Sequence, residues 1–344
     1  MLGARLIEQG RVALRADPTA HAGAERAHRF ICFYQHLVFK APAGCCKALP
    51  WAVASGPASY DLAKKICSGL DAEWVDVQWR TFPDGENLLR LTSSVLGKKV
   101  LLVQSTYPPV DTHYMQLFLL ASKLSEAGAE VFCIMPYMGY ARQDREFMEG
   151  EVVSIGVLGR LLKYTGVKRL VTVDIHSPRA LAQIPLEAYS LSAIPLLAEY
   201  AKTQLKLRNP LAVAPDQGAA TRVQAFSALY GCEWHVLTKR RDRVTGEVEV
   251  TAAGLEKVAV EGRDILLIDD ILSTGSSLLK AGSLFYSLGA AGVRALCVHP
   301  LLVGGALEKL KAARIDVIGT NTVPSPVSYV DVSPLIISYF SHGA

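Results

Sequence analysis

The segment Asp264-Ile-Leu-Leu-Ile-Asp-Asp-Ile-Leu-Ser-Thr-Gly-Ser-Ser277 joins three patterns end to end. Ile265 to Ile268 form a continuous apolar run, as a parallel strand buried on both faces requires. Asp269 and Asp270 follow at its carboxyl end. In open α/β sheets ligands bind at that edge, and paired acids there can hold sugar hydroxyls or metal-bound oxygens. Ser273, Thr274, Gly275, Ser276 and Ser277 then offer hydroxyls and close backbone N–H groups to an anion, ahead of a helix expected to begin near Leu278. The segment reads as a sugar-phosphate site on an α/β sheet. The plainer alternative is a strand, an Asp-rich turn and a Ser/Thr helix cap without any ligand.

Working outward, the chain repeats itself. Trp51-Ala-Val-Ala54 and Leu211-Ala-Val-Ala214 both open strand-like runs, and Glu73-Trp74 recurs at Glu233-Trp234 with the same offset. Val100 to Val103 matches Ile265 to Ile268, each followed by a loop, an amphipathic stretch, a glycine (Gly128, Gly292) and a strand ending in Pro136 or Pro300. A period of about 160 residues is too long for a solenoid and indicates a duplicated domain. Strands alternate with helical stretches, as at Asp111 to Ala127 and Ser276 to Leu288, the pattern of βα units on a mostly parallel sheet. The expected fold is therefore α/β, with two tandem domains, each a mostly parallel sheet flanked by helices. The first copy has Gln104-Ser-Thr-Tyr-Pro-Pro109 where the second has the acid pair and anion loop, so the sugar-phosphate site is expected in the second alone.

Half of the 344 residues are hydrophobic, enough for two full cores, and the formal net charge is only +4. That charge leaves no strong footprint for nucleic acid or an anionic membrane surface. Apolar runs such as Val100 to Val103 are far too short to span a bilayer. Seven cysteines are scattered without metal-ligand or disulfide spacing, which suits a reducing cytoplasm. Cys133 and Cys297 lie inside apolar strand patterns and read as small buried hydrophobes. Residues 1–50 carry Arg5, Arg11, Arg15, Arg26 and Arg29 without a sustained period. The arginines would suit a transit peptide, but Glu8, Asp17 and Glu25 weigh against one and no signal-peptide core is present, so the segment reads as an extended reading frame or a disordered arm.

Other segments could also do chemistry. Asp174-Ile-His-Ser-Pro178 follows the apolar run ending at Val173, so His176 sits just past a strand end, where it could ligate a metal or be a hydrogen-bonded loop residue. Asp216 also ends a strand, beside Gly218 and Arg222, as a carboxylate suited to Mg²⁺ or as a turn former. Tyr137-Met-Gly-Tyr-Ala-Arg-Gln-Asp-Arg145 combines aromatics with a planar Arg142 and the amide of Gln143, a set suited to a purine and a polyphosphate. Lys239-Arg-Arg-Asp-Arg243 leads into the turn Val244-Thr-Gly246, a basic hairpin that could close over a transferring group. Thr81-Phe-Pro-Asp-Gly-Glu86 places an aromatic face and two carboxylates in a tight turn.

Together these segments resemble the ribose-phosphate diphosphokinase (phosphoribosyl pyrophosphate synthetase) family. The resemblance runs from Trp51 onward through Phe82-Pro-Asp-Gly-Glu86, Pro136 to Arg145, Asp174-Ile-His176, Pro215-Asp216, Lys239-Arg-Arg241, Asp269 to Ser277 and Thr320-Asn-Thr322. The short basic loop running into Gly246-Glu-Val-Glu-Val250 is similar to the archaeal-type branch. The resemblance implies tandem phosphoribosyltransferase-type domains: 51–197 as a degenerate copy, 198–325 with the ribose 5-phosphate loop, and 326–344 packing back on the first. It implies transfer of the diphosphoryl group of ATP to the C1 hydroxyl of ribose 5-phosphate in the cytoplasm, with Mg²⁺ held by His176 and Asp216. It assigns ATP to Phe82, Asp84, Gly85, Glu86, Arg142 and Gln143, with Phe82 reaching adenine from a neighbouring subunit of a homodimer or larger assembly. Ribose 5-phosphate falls to Arg241, Asp269, Asp270 and Ser273, Thr274, Gly275, Ser276 and Ser277, while Lys239 and Arg241 stabilise charge on the transferring group.

Two departures from the family pattern stand out: Ala219 in place of a glycine, and Ser276-Ser277 in place of Gly-Thr. A Cβ at Ser276 would be costly if that position needs φ > 0. A salvage phosphoribosyltransferase would share the acid pair and loop, but would need neither the second domain nor the Tyr-Ala-Arg-Gln segment. A non-catalytic regulatory homologue is the alternative, and a phosphoribosyltransferase-like regulator of nucleic acid is disfavoured by the absence of a basic face.

Overall fold

The computed structural model describes residues 51–241, 248–251 and 259–342, with the backbone alone for 239–241 and 248–251. The arm 1–50, the turn at 244–246 and the side chains of Lys239 and Arg241 lie outside the described residues. The chain forms two compact units, one running to Ser192 and resuming at Ser333, the other Ala193–Val332.

The first unit contains β1 (Trp51–Ser55), α1 (Tyr60–Gly69), β2 (Glu73–Trp74), a hairpin of β3 (Val77–Thr81) and β4 (Asn87–Leu91), and β5 (Lys99–Val103). It continues with α2 (Val110–Glu126), β6 (Glu130–Met135), α3 (Ser154–Tyr164), β7 (Val167–Val173), α4 (Pro178–Ala182) and β8 (Glu187–Leu191). The second contains α5 (Ile194–Gln204), β9 (Leu211–Ala214), α6 (Ala220–Tyr230), β10 (Glu233–Val236), a hairpin of β11 (Thr238–Arg241) and β12 (Val248–Thr251), and β13 (Asp264–Leu272). There follow α7 (Ser276–Ser287), β14 (Gly292–Pro300), α8 (Ala306–Ala312), β15 (Ile315–Thr320) and β16 (Ser328–Val330).

The six-stranded sheets run β2-β1-β5-β6-β7-β8 and β10-β9-β13-β14-β15-β16, and every pairing within them is parallel. The apolar runs lie on central strands because helices cover both faces. Val100, Leu102, Leu117 and Leu120 are fully buried in the first core, and Val213, Ile265, Leu267 and Phe285 in the second. In each sheet the first strand lies between its successor and a strand reached by crossing to the other side. This reversal leaves a crevice at the carboxyl ends of β1 and β5, and another at those of β9 and β13. Each unit also inserts an antiparallel hairpin at the equivalent place in the chain, β3–β4 and β11–β12.

The unit boundaries differ from those expected at 197/198 and 325/326. Helix α5 packs on α6, and β16 completes the second sheet beside β15, so 194–197 and 326–332 belong to the second unit. The last helix, α9 (Ser333–Ser341), returns to the first unit, where Phe340 meets Trp51 at 5.4 Å and Tyr339 meets Tyr189 at 5.7 Å. Gly69 permits this docking, since a Cβ there would lie 2.3 Å from Ile337 Cδ1.

Candidate active site

Strand β13 runs further than the apolar run implies. It pairs with β9 only through Ile265 to Leu267, but with β14 from Asp264 opposite Gly292 to Leu272 opposite Pro300. The long β14 supplies partners that extend the strand past the acid pair, so Asp269 and Asp270 lie within β13 rather than beyond it. On the β9 side, the overhang opens toward the turn after Ala214. There Asp216 begins a 3₁₀ turn, its Oδ1 accepting from Gly218 N at 3.0 Å. Asp269 and Asp270 alternate between sheet faces. The Asp270 carboxylate is ion-paired with Arg222 of α6, Nη2 to Oδ2 at 3.1 Å, while Asp269 Oδ1 accepts from Asp270 N at 2.9 Å. Burial first, then the charge of Asp270 and a hydrogen bond with it, hold the Asp269 carboxyl well above the usual carboxylate range. Asp216 pushes in the same direction.

The anion loop closes the site. Gly275 adopts φ +74°, a conformation that disfavours any side chain, and a Cβ there would also lie 3.2 Å from Leu310 Cδ1. Helix α7 then starts at Ser276, with Leu279 N donating to Gly275 O at 2.9 Å. Its first turn presents the backbone N–H groups that bind anions at helix N-termini. The Thr274 and Ser276 hydroxyls lie 3.1 Å apart at the exposed rim. The positive φ therefore falls on Gly275, and Ser276 takes its place in the helix without that strain. Ala219, the other departure, sits at φ −88°, where a Cβ is ordinary.

The equivalent crevice of the first unit is filled by its own side chains. Gln104 is completely buried; its Oε1 accepts from Ala58 N at 3.1 Å and its Nε2 donates to His113 O at 3.3 Å. Ser105 N donates to Ser59 Oγ at 2.8 Å, and the Tyr107 hydroxyl donates to Ala58 O at 3.3 Å.

Chemistry-bearing residues of the first unit lie elsewhere. Phe82 to Glu86 form the β3–β4 turn, closed by Phe82 N donating to Glu86 O at 2.8 Å and by Glu86 N donating to Asp84 Oδ1 at 3.1 Å. Gly85 takes φ +94°, and Arg80 lies 4.8 Å from the Phe82 ring centre. Arg142 and Gln143 are exposed after β6, with Gln143 Oε1 accepting from Ser154 Oγ at 2.7 Å. Buried Asp144 accepts from Ser177 Oγ, and Ser177 in turn caps α4 and adjoins His176. This link fastens the Arg142–Gln143 loop to the loop after β7. Sequence reasoning passed over Asp144 and Ser177, because a polar pair 33 positions apart carries no periodic signal.

In the second unit the structure gathers Asp216, Asp269, Asp270 and Ser273 to Ser277, and sets the backbone of Lys239 and Arg241 on β11. Arg222 was visible in sequence only as a neighbour of Asp216. The Thr320 and Thr322 hydroxyls both donate to Val298 O at 2.8 Å, so this motif braces the ends of β14 and β15. Cys133 and Cys297 are fully buried, and burial pushes both thiols up. Among the described residues no three His, Cys, Asp or Glu side chains form a ready cage for a metal. Mg²⁺ usually takes one or two carboxylates and completes its shell with water and substrate phosphates, so the hard oxygens of Asp216 suit it. Among the described residues no helix is long and apolar enough to cross a membrane.

A parallel α/β sheet of the same strand order, built twice in tandem, with a carboxylate overhang and an anion-binding turn at the switch point of the second copy, defines the class as phosphoribosyltransferase-type. Residues 51–166 match the N-terminal domain of ribose phosphate pyrophosphokinase, and residues 191–331 match the phosphoribosyl transferase domain. The ribose-phosphate pyrophosphokinase of Sulfolobus acidocaldarius is 37% identical over 289 residues, 83% of this chain and 98% of that one. That of Methanothermobacter thermautotrophicus is 37% identical over 281 residues, 81% and 96% of the two chains. The crystal structure of phosphoribosylpyrophosphate synthetase from Mycobacterium smegmatis superposes with a TM-score of 0.75 at 25% identity, covering 85% of this chain and 97% of that one. The chain belongs to the ribose-phosphate pyrophosphokinase family, and its archaeal relatives agree with the archaeal-type resemblance.

Proposed function

We propose that this chain is a ribose-phosphate diphosphokinase. The C1 hydroxyl oxygen of ribose 5-phosphate attacks the β-phosphorus of ATP and the bond to the α-phosphate breaks. AMP leaves, the hydroxyl proton is released, and 5-phosphoribosyl 1-diphosphate is formed. The observation that carries this reading is the β13 overhang, with an acid pair followed at once by the Gly275 turn and the N-terminus of α7.

In this reading the first turn of α7 and the hydroxyls of Ser273 to Ser277 hold the 5-phosphate, and Arg241 adds a fixed positive charge. Asp269 faces the sugar hydroxyls, whose O–H donors offset the cost of ionising a buried carboxylate. Arg142, Gln143 and the turn Phe82 to Glu86 hold ATP, with Asp84 and Glu86 as acceptors and Phe82 as an apolar face. His176 and Asp216 would hold Mg²⁺, which when bound neutralises charge on the polyphosphate. Lys239 and Arg241 lie on a hairpin and stabilise charge on the group in transit, since electrostatic positioning dominates phosphoryl-type transfer. The enzyme acts in the cytoplasm as a homodimer or larger assembly, and the exposed Phe82–Glu86 turn is the element offered to a neighbouring subunit.

The test is AMP release from ATP and Mg²⁺, with and without ribose 5-phosphate, beside a Lys239→Ala variant; light scattering reports the assembly. AMP formation that requires the sugar and collapses in the variant is the expected result. Folded protein that binds ATP but releases no AMP would instead identify a non-catalytic regulatory homologue.

A further inference from the structure

The two neighbouring carboxylates of β13 are not equivalent. Asp270 is 4% exposed and paired with Arg222, itself 17% exposed, so both charges have been taken out of water. Such a pair is weak support for stability, but losing one partner leaves an uncompensated buried charge. The same guanidinium reaches a second acceptor, Nη1 donating to Gly218 O at 3.4 Å, while Gly218 N donates to Asp216 at 3.0 Å. A planar fork can serve both acceptors at once, which a lysine ammonium cannot do in the same geometry. One continuous path thus runs from Asp270 through Arg222 and Gly218 to Asp216, fastening the β13 overhang to the β9–α6 turn across the crevice.

We propose that Arg222 is a positioning residue of the sugar-phosphate site. It holds Asp270 as a buried support and fixes the β9–α6 turn against β13, so that Asp269 alone of the pair meets the sugar hydroxyls. This assignment rests on the function proposed above and deepens it, moving Asp270 from ligand to support.

The test uses the full chain with Arg222→Met, Arg222→Lys, Asp270→Asn, Asp269→Asn and the double variant Arg222→Met/Asp270→Asn. Ribose 5-phosphate binding is measured by titration calorimetry, alongside sugar-dependent AMP formation and circular dichroism to establish folding. Arg222→Met should lose about 100-fold in kcat/KM for the sugar, the scale of a small misplacement of a reacting group. Its ATP KM should stay near that of the parent, and Arg222→Lys should recover part of the loss. The double variant should recover about tenfold over Arg222→Met, because the unpaired charge is gone and the two sites are coupled. Asp270→Asn alone should weaken sugar binding far less than Asp269→Asn does.

Equal losses in Asp269→Asn and Asp270→Asn, with no recovery in the double variant, would make Asp270 a direct ligand and overturn the proposal. An Arg222→Met change confined to the ATP KM, or no change at all, would also overturn it. If Arg222→Met does not fold, the comparison of Asp270→Asn with Asp269→Asn decides the matter. A parent protein that binds ribose 5-phosphate while these variants fail the pattern refutes the role of Arg222 alone. A parent protein that binds no sugar phosphate refutes the functional reading beneath it as well.

Discussion

The two sheet-edge crevices share their strand order, their parallel register and the place of an inserted hairpin, yet one is closed and the other open. After β5 the chain turns Gln104 inward, and the amide lies so close over Gly56 that a Cβ there would stand 2.2 Å from Gln104 Oε1. After Ile268, β13 instead continues along β14, and two carboxylates are carried past the end of β9. The same topology therefore supplies a position, and the residues placed there decide whether it is core or site. The hairpins divide in the same way. One ends in an acidic, aromatic turn at Phe82 to Glu86, the other carries Lys239 and Arg241 on β11.

The largest effect should come from the second hairpin. Lys239→Ala should lower kcat by about 10²–10³-fold, the typical loss when one donor to a developing charge is removed. A loss concentrated in the ATP KM would put Lys239 with ground-state binding instead. Next is Asp269→Asn, which should lower kcat/KM for the sugar by about 10- to 100-fold, as for a lost hydrogen bond to a charged group. The same variant should stabilise the ligand-free protein at neutral pH. Asp269 has a folded-state pKa raised by burial and by Asp270, so the native state holds its proton longer than the unfolded chain does. The unfolded state binds fewer protons over that interval, and stability falls as pH rises from the ordinary carboxylate range through the raised value. Asparagine cannot ionise, so its melting temperature should exceed that of the parent above this window and converge with it below. Equal melting profiles across pH would show that Asp269 is not held in this way.

A smaller change tests the anion turn. Gly275→Ala places a Cβ at φ +74°, costing about 1–2 kcal/mol, and should raise the ribose 5-phosphate KM by about tenfold through the displaced start of α7. Ser276→Gly restores the residue usual in the family and should change little, because Ser276 is already helical. A large gain of affinity in Ser276→Gly would mean that its side chain obstructs the phosphate.

Much of this arrangement could be read from residue order, and the exceptions share a cause. The duplicated apolar runs, the acid pair and the anion loop are local patterns with a period or a turn residue to mark them, so the α/β class and the open crevice were legible. The length of β13 was not, because it depends on the partner strand β14 rather than on its own composition. Gly275 was legible as a turn residue, but assigning the positive φ to it rather than to Ser276 required the helix start. Arg222 and the Asp144–Ser177 link are contacts between residues 48 and 33 positions apart, and no spacing rule announces them. The membership of α5 and β16 in the second unit is likewise a matter of packing partners.

The closed crevice gives the smallest kinetic effect and the cleanest contrast. If the first unit's switch point is core, Gln104→Ala removes a buried amide that joins the loop after β1 to α2 and leaves Ala58 N without its acceptor. Stability should fall by about 1–3 kcal/mol, the desolvation penalty of an unsatisfied buried group plus the lost contact with Gly56. The folded fraction should keep the parent's KM for both substrates, because no proposed ligand residue touches Gln104. Denaturant unfolding together with steady-state kinetics separates the two readouts. A change in the ATP KM without loss of stability would show that the first crevice is a binding site after all, and that the duplicated copy retained a function where its side chains fill the space.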